Sequence, residues 1–337
     1  MLRYLVRRFL LLCFLMIGIS LVVFLLSHAV PSDPVVANLS DRNLGDPEMV
    51  AAFRAKWGLD QPLYKQYLTY LKNLLRFDLG VSIRTQQPVA EDLARYFPAT
   101  IELAIVGMIF AVFFGLLFGI ISVVKRDTLT EQVIRGVSIF GVSVPSFWMA
   151  MILLFVFYLL LGIAPRPGRI STRLSAPLHR TGFFLIDSLI QGDMRLLVDS
   201  LRHLVLPGIC QGMFTMGLIT RTIRSSLLEV MSQDYIRTAL AKGLSRRDIL
   251  LKHALGNALL PVVTVIGMSF SGLLGGMILV ETIFAWPGIG QYAYQSTQSL
   301  DFPAIVGVSL LIALNHVIIN LAVDLLYGLL DPRVRYR

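Results

Sequence analysis

Charge is what this chain has least of: 15% of its 337 residues are charged, against 55% hydrophobic. An ordinary soluble domain carries roughly 25% charged residues, so the shortfall excludes a soluble globular protein and points to an integral membrane one. Cysteine is scarce as well. Cys13 and Cys210 both fall inside apolar runs at no metal-ligand spacing; they read as packing residues and leave the redox compartment open. His28, His179, His203 and His253 are scattered without ligand spacing, which argues against a metal site. No lysine is followed by Ser or Thr, so a nucleotide-binding P-loop is excluded. The chain therefore does not hydrolyse ATP by itself.

What is there is a set of charge-free apolar runs: residues 9–30, 103–124, 136–164, 204–220, 254–280 and 302–323, each of 17 or more residues. Such runs can cross a hydrocarbon core of about 30 Å at about 1.5 Å per residue. Backbone in lipid must satisfy itself, so the expected fold class is all-α integral membrane with six transmembrane helices. Arg3, Arg7 and Arg8 precede the first run as they would in a signal peptide. That run is too long for a signal core and no small-x-small cleavage site follows it, so it reads as a retained span.

With both termini cytoplasmic, the inner segments hold 16 Lys and Arg against 7 acids, and the outer ones 14 of each. The whole net charge of +9 then sits on one face. Discounting the long outer segment leaves 16 bases inside to 6 outside, which sets the orientation. The basic balance needs no nucleic-acid partner, since no groove-reading module accompanies it.

The organisation expected is an N-terminal arm and first span over 1–30, a helical extracytoplasmic insertion over 31–98, a membrane domain over 99–330 and a cytoplasmic tail over 331–337. Within the insertion, Asp46, Pro47 and Glu48 start a helix that should run to about Trp57 and stop at Gly58. A second, amphipathic helix is expected over 62–76, with Leu63, Tyr67, Leu71 and Leu74 on one face. The insertion either caps the membrane domain or docks an outer partner. The loop 166–202 has an apolar core at 183–190, too short to cross.

Buried carboxylates that could couple an ion gradient are few. Glu102 and Glu281 fall near outer span ends and Asp324 near an inner one, none at a midplane. Asp324 with Asn315, His316 and Asn320 makes a polar stripe suited to interhelical hydrogen bonding or, less simply, a proton relay. Gly115/Gly119 and Gly272/Gly276 fit the small-residue spacing of close helix contacts. Ser143, Ser146, Gln211, Thr215 and Ser269 are the polar candidates for a pathway.

The most informative segment is residues 235–265, YIRTALAKGLSRRDILLKHALGNALLPVVTV, a basic stretch between two apolar runs with no chemistry of its own. It resembles the EAA loop of binding-protein-dependent ABC importer permeases. More narrowly, the chain is similar to the B-type permease of the dipeptide/oligopeptide/nickel group. Further matches are Gly58-Leu-Asp-Gln-Pro-Leu-Tyr64, Asp78-Leu-Gly-Val-Ser82, Asn257-Ala-Leu-Leu-Pro261, Glu281-Thr-Ile-Phe-Ala-Trp-Pro-Gly288 and Asp324-Leu-Leu-Tyr-Gly328 before Asp331-Pro-Arg333. Arg237 stands where the general pattern has Glu and Gly256 where it has Pro, as in the peptide group; Pro31-Ser-Asp-Pro34 replaces a usual Pro-Gly-Asp-Pro.

The resemblance implies a type I ABC importer permease fold in the bacterial inner membrane, without a cofactor of its own. It implies as partners a second homologous permease, two cytoplasmic ATPases that bind ATP and Mg, and an extracytoplasmic solute-binding protein, besides membrane lipid. The loop 225–257 would seat a short coupling helix in the ATPase, through Ala239, Lys242, Gly243, Leu244, Arg246, Arg247, Asp248 and His253. Gly243 allows a close turn, Leu244 offers an apolar knob, and the charged residues face the motor. Short peptides are the expected solute, and Thr181-Gly-Phe-Phe-Leu-Ile-Asp187 looks like the dipeptide branch. Nickel, glutathione or opine-like solutes are the alternatives within the class. An ion-driven secondary transporter or a membrane scaffold with a docking loop are those outside it.

Overall fold

A computed structural model describes residues 10–11, 14–22, 24–25, 46–57, 61–178, 180–275 and 278–330. Among these the chain is helical and holds no strand, only an isolated bridge between Val81 and Pro88. Cys13, Gly58, His28, His179, Gly276 and the side chain of Asp324 lie outside the described residues.

The helices are α1 (Pro47–Trp57), α2 (Leu63–Leu74), α3 (Val89–Val124), α4 (Leu129–Ser143), α5 (Ser146–Leu160) and α6 (Phe184–Gln191). They continue as α7 (Met194–Met231), α8 (Asp234–Ala241), α9 (Arg246–Ala258), α10 (Leu260–Leu274), α11 (Ile278–Ile283), α12 (Ile289–Gln298) and α13 (Phe302–Leu330). Among the described residues three helices are long and apolar enough to cross a membrane, or up to five spans if each bent pair counts as one. The remaining expected span, 9–30, is helical at the 13 of its 22 residues that are described.

Three expectations need correction. The helix expected from residue 103 starts at Val89 and runs through Pro98. The run 136–164 is not one helix: α4 and α5 meet at 112°. Val144 precedes Pro145 and is pushed out of helical geometry to φ −83°, ψ 126°, which makes the elbow. The run 254–280 bends by 50° between α9 and α10 and ends at Leu274, before the separate short α11.

Local chemistry explains the better-placed ends. The Asp46 carboxylate accepts from the Glu48 amide at 3.0 Å to start α1 at Pro47. Asp193 caps α7 through the Arg195 and Leu196 amides, and Gly192 at φ +71° ends α6. Of the expected face on α2, Tyr67, Leu71 and Leu74 are half-buried and only Leu63 is exposed; Gln66 and Tyr70 are covered beside them. Tyr67 and Tyr70 pack on Phe24, and the Tyr67 hydroxyl donates to the Ile17 carbonyl at 3.1 Å.

The core is the pairing of α3 with α7, which run parallel. A Cβ on Gly115 would sit 2.7 Å from Ile219, and one on Gly119 2.0 Å from Ile223. The expected small-residue contact thus falls inside the bundle. Gly272 meets nothing within 4 Å.

Candidate functional site

The basic loop is built as two short helices around one glycine. The Gly243 amide donates to the Leu240 carbonyl at 2.9 Å and the Leu244 amide to the Ala239 carbonyl at 3.4 Å, a Schellman closure of α8. Gly243 sits at φ +79°, where an L side chain is strained although nothing lies within 4 Å of an added Cβ. Two residues on, Ser245 opens α9: its hydroxyl accepts from the Asp248 amide at 3.1 Å and donates to the Asp248 carboxylate at 2.5 Å. Lys252 pairs with Asp248 at 2.6 Å.

This geometry sorts the candidate residues. Lys242, Gly243, Leu244, Arg246, Arg247 and His253 are exposed and Asp248 is half-buried. Ala239 instead faces inward with Ile236 and Ile249, which join Leu227, Ile223 and Ile219 of α7 in one buried apolar cluster. The loop therefore presents a polar outer rim and an apolar underside fixed to the end of α7. Tyr235 joins α8 to the far side of α9, accepting from the Asn257 amide at 2.9 Å.

The pathway candidates divide. Ser143 and Ser146 flank the α4–α5 elbow and line a cleft of about 340 Å³ with Gly141, Pro145, Cys210 and Met213. Gln211 and Thr215 lie on α7 but are buried; the Gln211 amide donates to the Leu273 carbonyl at 3.3 Å. Ser269 is half-buried on α10, away from the cleft. His316 bonds the Ser271 hydroxyl at 2.7 Å, and Asn315 donates to the Leu311 carbonyl, as interhelical and local polar ties.

A polar cluster at the N-terminal end of α3 was only half legible in the sequence. Arg169 donates to Glu102 at 2.6 Å and to the Gly182 carbonyl at 2.8 Å, both side chains buried, while its guanidinium lies 3.6 Å from the Phe184 ring centroid. Glu102 also accepts from the Leu185 amide. Nearby, Glu281 accepts from the Thr100 hydroxyl at 2.8 Å and the Gln291 amide at 3.0 Å. In the same loop, burial alone would raise the Asp187 carboxyl, but hydrogen bonds from Thr181 and Gly182 outweigh it and hold it below the usual range. Two of the three candidate coupling carboxylates, Glu102 and Glu281, are thus held by structural partners. Glu131 at the opposite end carries no signal in the sequence, yet it is buried against Arg224 and Arg135.

Residues 97–336 match the model of the binding-protein-dependent transport system inner membrane component, and residues 1–104 that of the N-terminal part of such a membrane component. The chain belongs to this permease family. It is 41% identical, over the whole of both chains, to the dipeptide transport system permease protein DppB of Escherichia coli K12. It is 42% identical to the probable D,D-dipeptide transport system permease protein DdpB of the same strain, over 94% of this chain and 93% of that one. The glutathione transport system permease protein GsiC of Escherichia coli O6:H1 is 36% identical over the full length of both. An inward-facing structure of the MetNI methionine ABC transporter aligns with a TM-score of 0.53 at 18% identity, covering 71% of this permease and 96% of that chain. The fold is that of a type I ABC importer permease.

Proposed function

We propose that this permease forms half of the translocation pathway of an ABC importer for short peptides in the bacterial cytoplasmic membrane. The observation that carries the solute class is full-length identity of 41% to a dipeptide permease, with no segment left unaligned. In this reading both termini and the loop 225–257 are cytoplasmic, and 31–98 and 166–202 lie outside. A second permease completes the pathway, two ATPases supply ATP and Mg chemistry, and a binding protein delivers solute.

The loop's shape supports its role as the coupling element. Leu244, Arg246 and Arg247 project from a turn that Gly243 alone makes cheap, while Ile236 and Ile249 fix the turn to α7. ATP closing the motor subunits drags this rim, α7 follows, and the bundle opens to the binding protein; hydrolysis resets it. A Gly243→Leu chain inserts normally but loses uptake at least tenfold, because a left-handed Leu costs about 1–2 kcal/mol and the turn reshapes. The assay is uptake of a radiolabelled dipeptide, with ATPases retained on mild-detergent purification as the second readout. Normal uptake by this variant sinks the coupling assignment.

The glutathione relative at 36% identity sustains one second reading, that the solute is a tripeptide thiol. Competition of labelled dipeptide uptake by glutathione separates the two.

A further inference from the structure

Beyond the loop itself, we infer that Glu131 and Arg224 form a positioning clamp that makes α4 move as one body with the coupling loop. The inference rests on the coupling reading above and assigns the route by which loop movement reaches the elbow at Pro145.

The geometry has three rungs. At the loop end, Arg224 of α7 donates through Nε at 3.1 Å and through Nη2 to Glu131 Oε1. The same carboxylate accepts from Arg135 at 3.0 Å and, through Oε2, from the Asp127 amide at 2.7 Å. Its side chain is 3% exposed, and its partners come from two helices and the preceding turn. One helix turn pair further along, a Cβ on Gly217 would lie 2.6 Å from the Ser138 carbonyl. Further still, a Cβ on Gly141 would lie 2.9 Å from the Met213 carbonyl. Residues 131, 138 and 141 thus meet 224, 217 and 213 in antiparallel order.

The other two rungs are glycines packed closely on backbone and on the Val142 and Met213 side chains, apolar contacts that resist sliding more than splaying. The ionic rung closes the splayed end. It is also the rung nearest the coupling loop, since Leu227, three residues beyond Arg224, packs with Ile236 and Ile249. At the other end α4 stops at the elbow, whose Ser143, Pro145 and Ser146 line the 340 Å³ cleft. A push on the loop therefore arrives at the cleft through α7 and α4 together. Without the clamp, α7 moves and α4 lags.

The test uses the whole complex, purified with its partner permease and ATPases, with Cys13 and Cys210 replaced. Spin labels go on Gln132 of α4 and Thr238 of α8, both exposed and neither among the residues assigned to the ATPase contact. The expected label separation is the same without nucleotide and with ATP held by a hydrolysis-deficient ATPase. In the Arg224→Gln complex it shifts and broadens with ATP, and dipeptide uptake per ATP hydrolysed falls about tenfold, within the range typical of site-to-site coupling. Glu131→Gln and the double variant lose no more than about the same factor, since paired residues are not additive. An ATP-dependent change of separation in the unmodified complex overturns the clamp. So does an Arg224→Gln complex with constant separation and normal uptake per ATP. Arg224→Lys, which keeps one charge, recovers part of the loss if the clamp is ionic; no recovery counts against it. Normal uptake by Gly243→Leu would instead sink the coupling reading, so the two failures are distinguishable.

Discussion

At the residue scale the decisive side chains are buried charges, and their partners are set by tertiary contact. Glu102 was visible in the sequence as a carboxylate near a span end, but nothing in the spacing paired it with Arg169, 67 residues away. Arg169 sits in a loop with several other bases and carries no local signal. The pair is 7% and 4% exposed, with additional hydrogen bonds from Leu185 and to Gly182. Removing one partner of such a pair leaves an uncompensated charge, typically costing about 3–5 kcal/mol. Arg169→Met should therefore lower the midpoint of thermal aggregation in detergent markedly, whereas Glu102→Gln with Arg169→Met together should recover most of it. Equal loss in the single and double variants would show that Arg169 acts through its packing on Phe184 and not through its charge. Gly243, by contrast, was legible, because a glycine after TALAK and before a serine cap is a local pattern that needs no tertiary knowledge.

At the scale of elements, helix positions were largely legible, and helix ends and breaks were not. Apolar runs find the buried middle of a helix but not its polar extensions, so α3 reaches back to Val89 and α7 runs on to Met231 beyond the runs that revealed them. The elbow at Val144–Pro145 was readable in principle from the proline, yet the run either side is apolar and charge-free and hid it. The Gly115 and Gly119 contact was legible as a pattern, but its partner helix was not. Because Ile223 Cγ2 would lie 2.0 Å from a Cβ on Gly119, and the Thr220 carbonyl 3.0 Å, there is no room for a side chain without separating α3 from α7. Gly119→Leu should cost at least the about 1–3 kcal/mol of ordinary overpacking and reduce the amount of folded permease recovered. Gly272→Leu, with nothing within 4 Å in this chain, should leave the folded chain intact. Loss of the partner permease from that variant on purification would place Gly272 at the subunit interface.

At the scale of the whole molecule, the structure separates two ends joined by parallel α3 and α7. One end holds Glu102, Arg169 and Glu281 with the loop 166–202; the other holds Glu131, Arg224 and the loop around Gly243. Among the described residues the Gly243 end carries the 10 bases of the turn 125–135 and the loop 221–253. In the orientation proposed above from the positive-inside rule, the Gly243 end lies in the cytoplasm, where ATP is available to a motor docked on it. Fusing green fluorescent protein after Arg337 should give a fluorescent cell, and alkaline phosphatase inserted after Thr181 should be active. Phosphatase inserted after Gly243 should be silent. An active phosphatase at Gly243 would turn the loop to a compartment without ATP, and then no geometry at that turn could couple it to an ATPase. The orientation is thus the assumption on which the coupling loop, the clamp and the elbow all depend, and three fusions decide it.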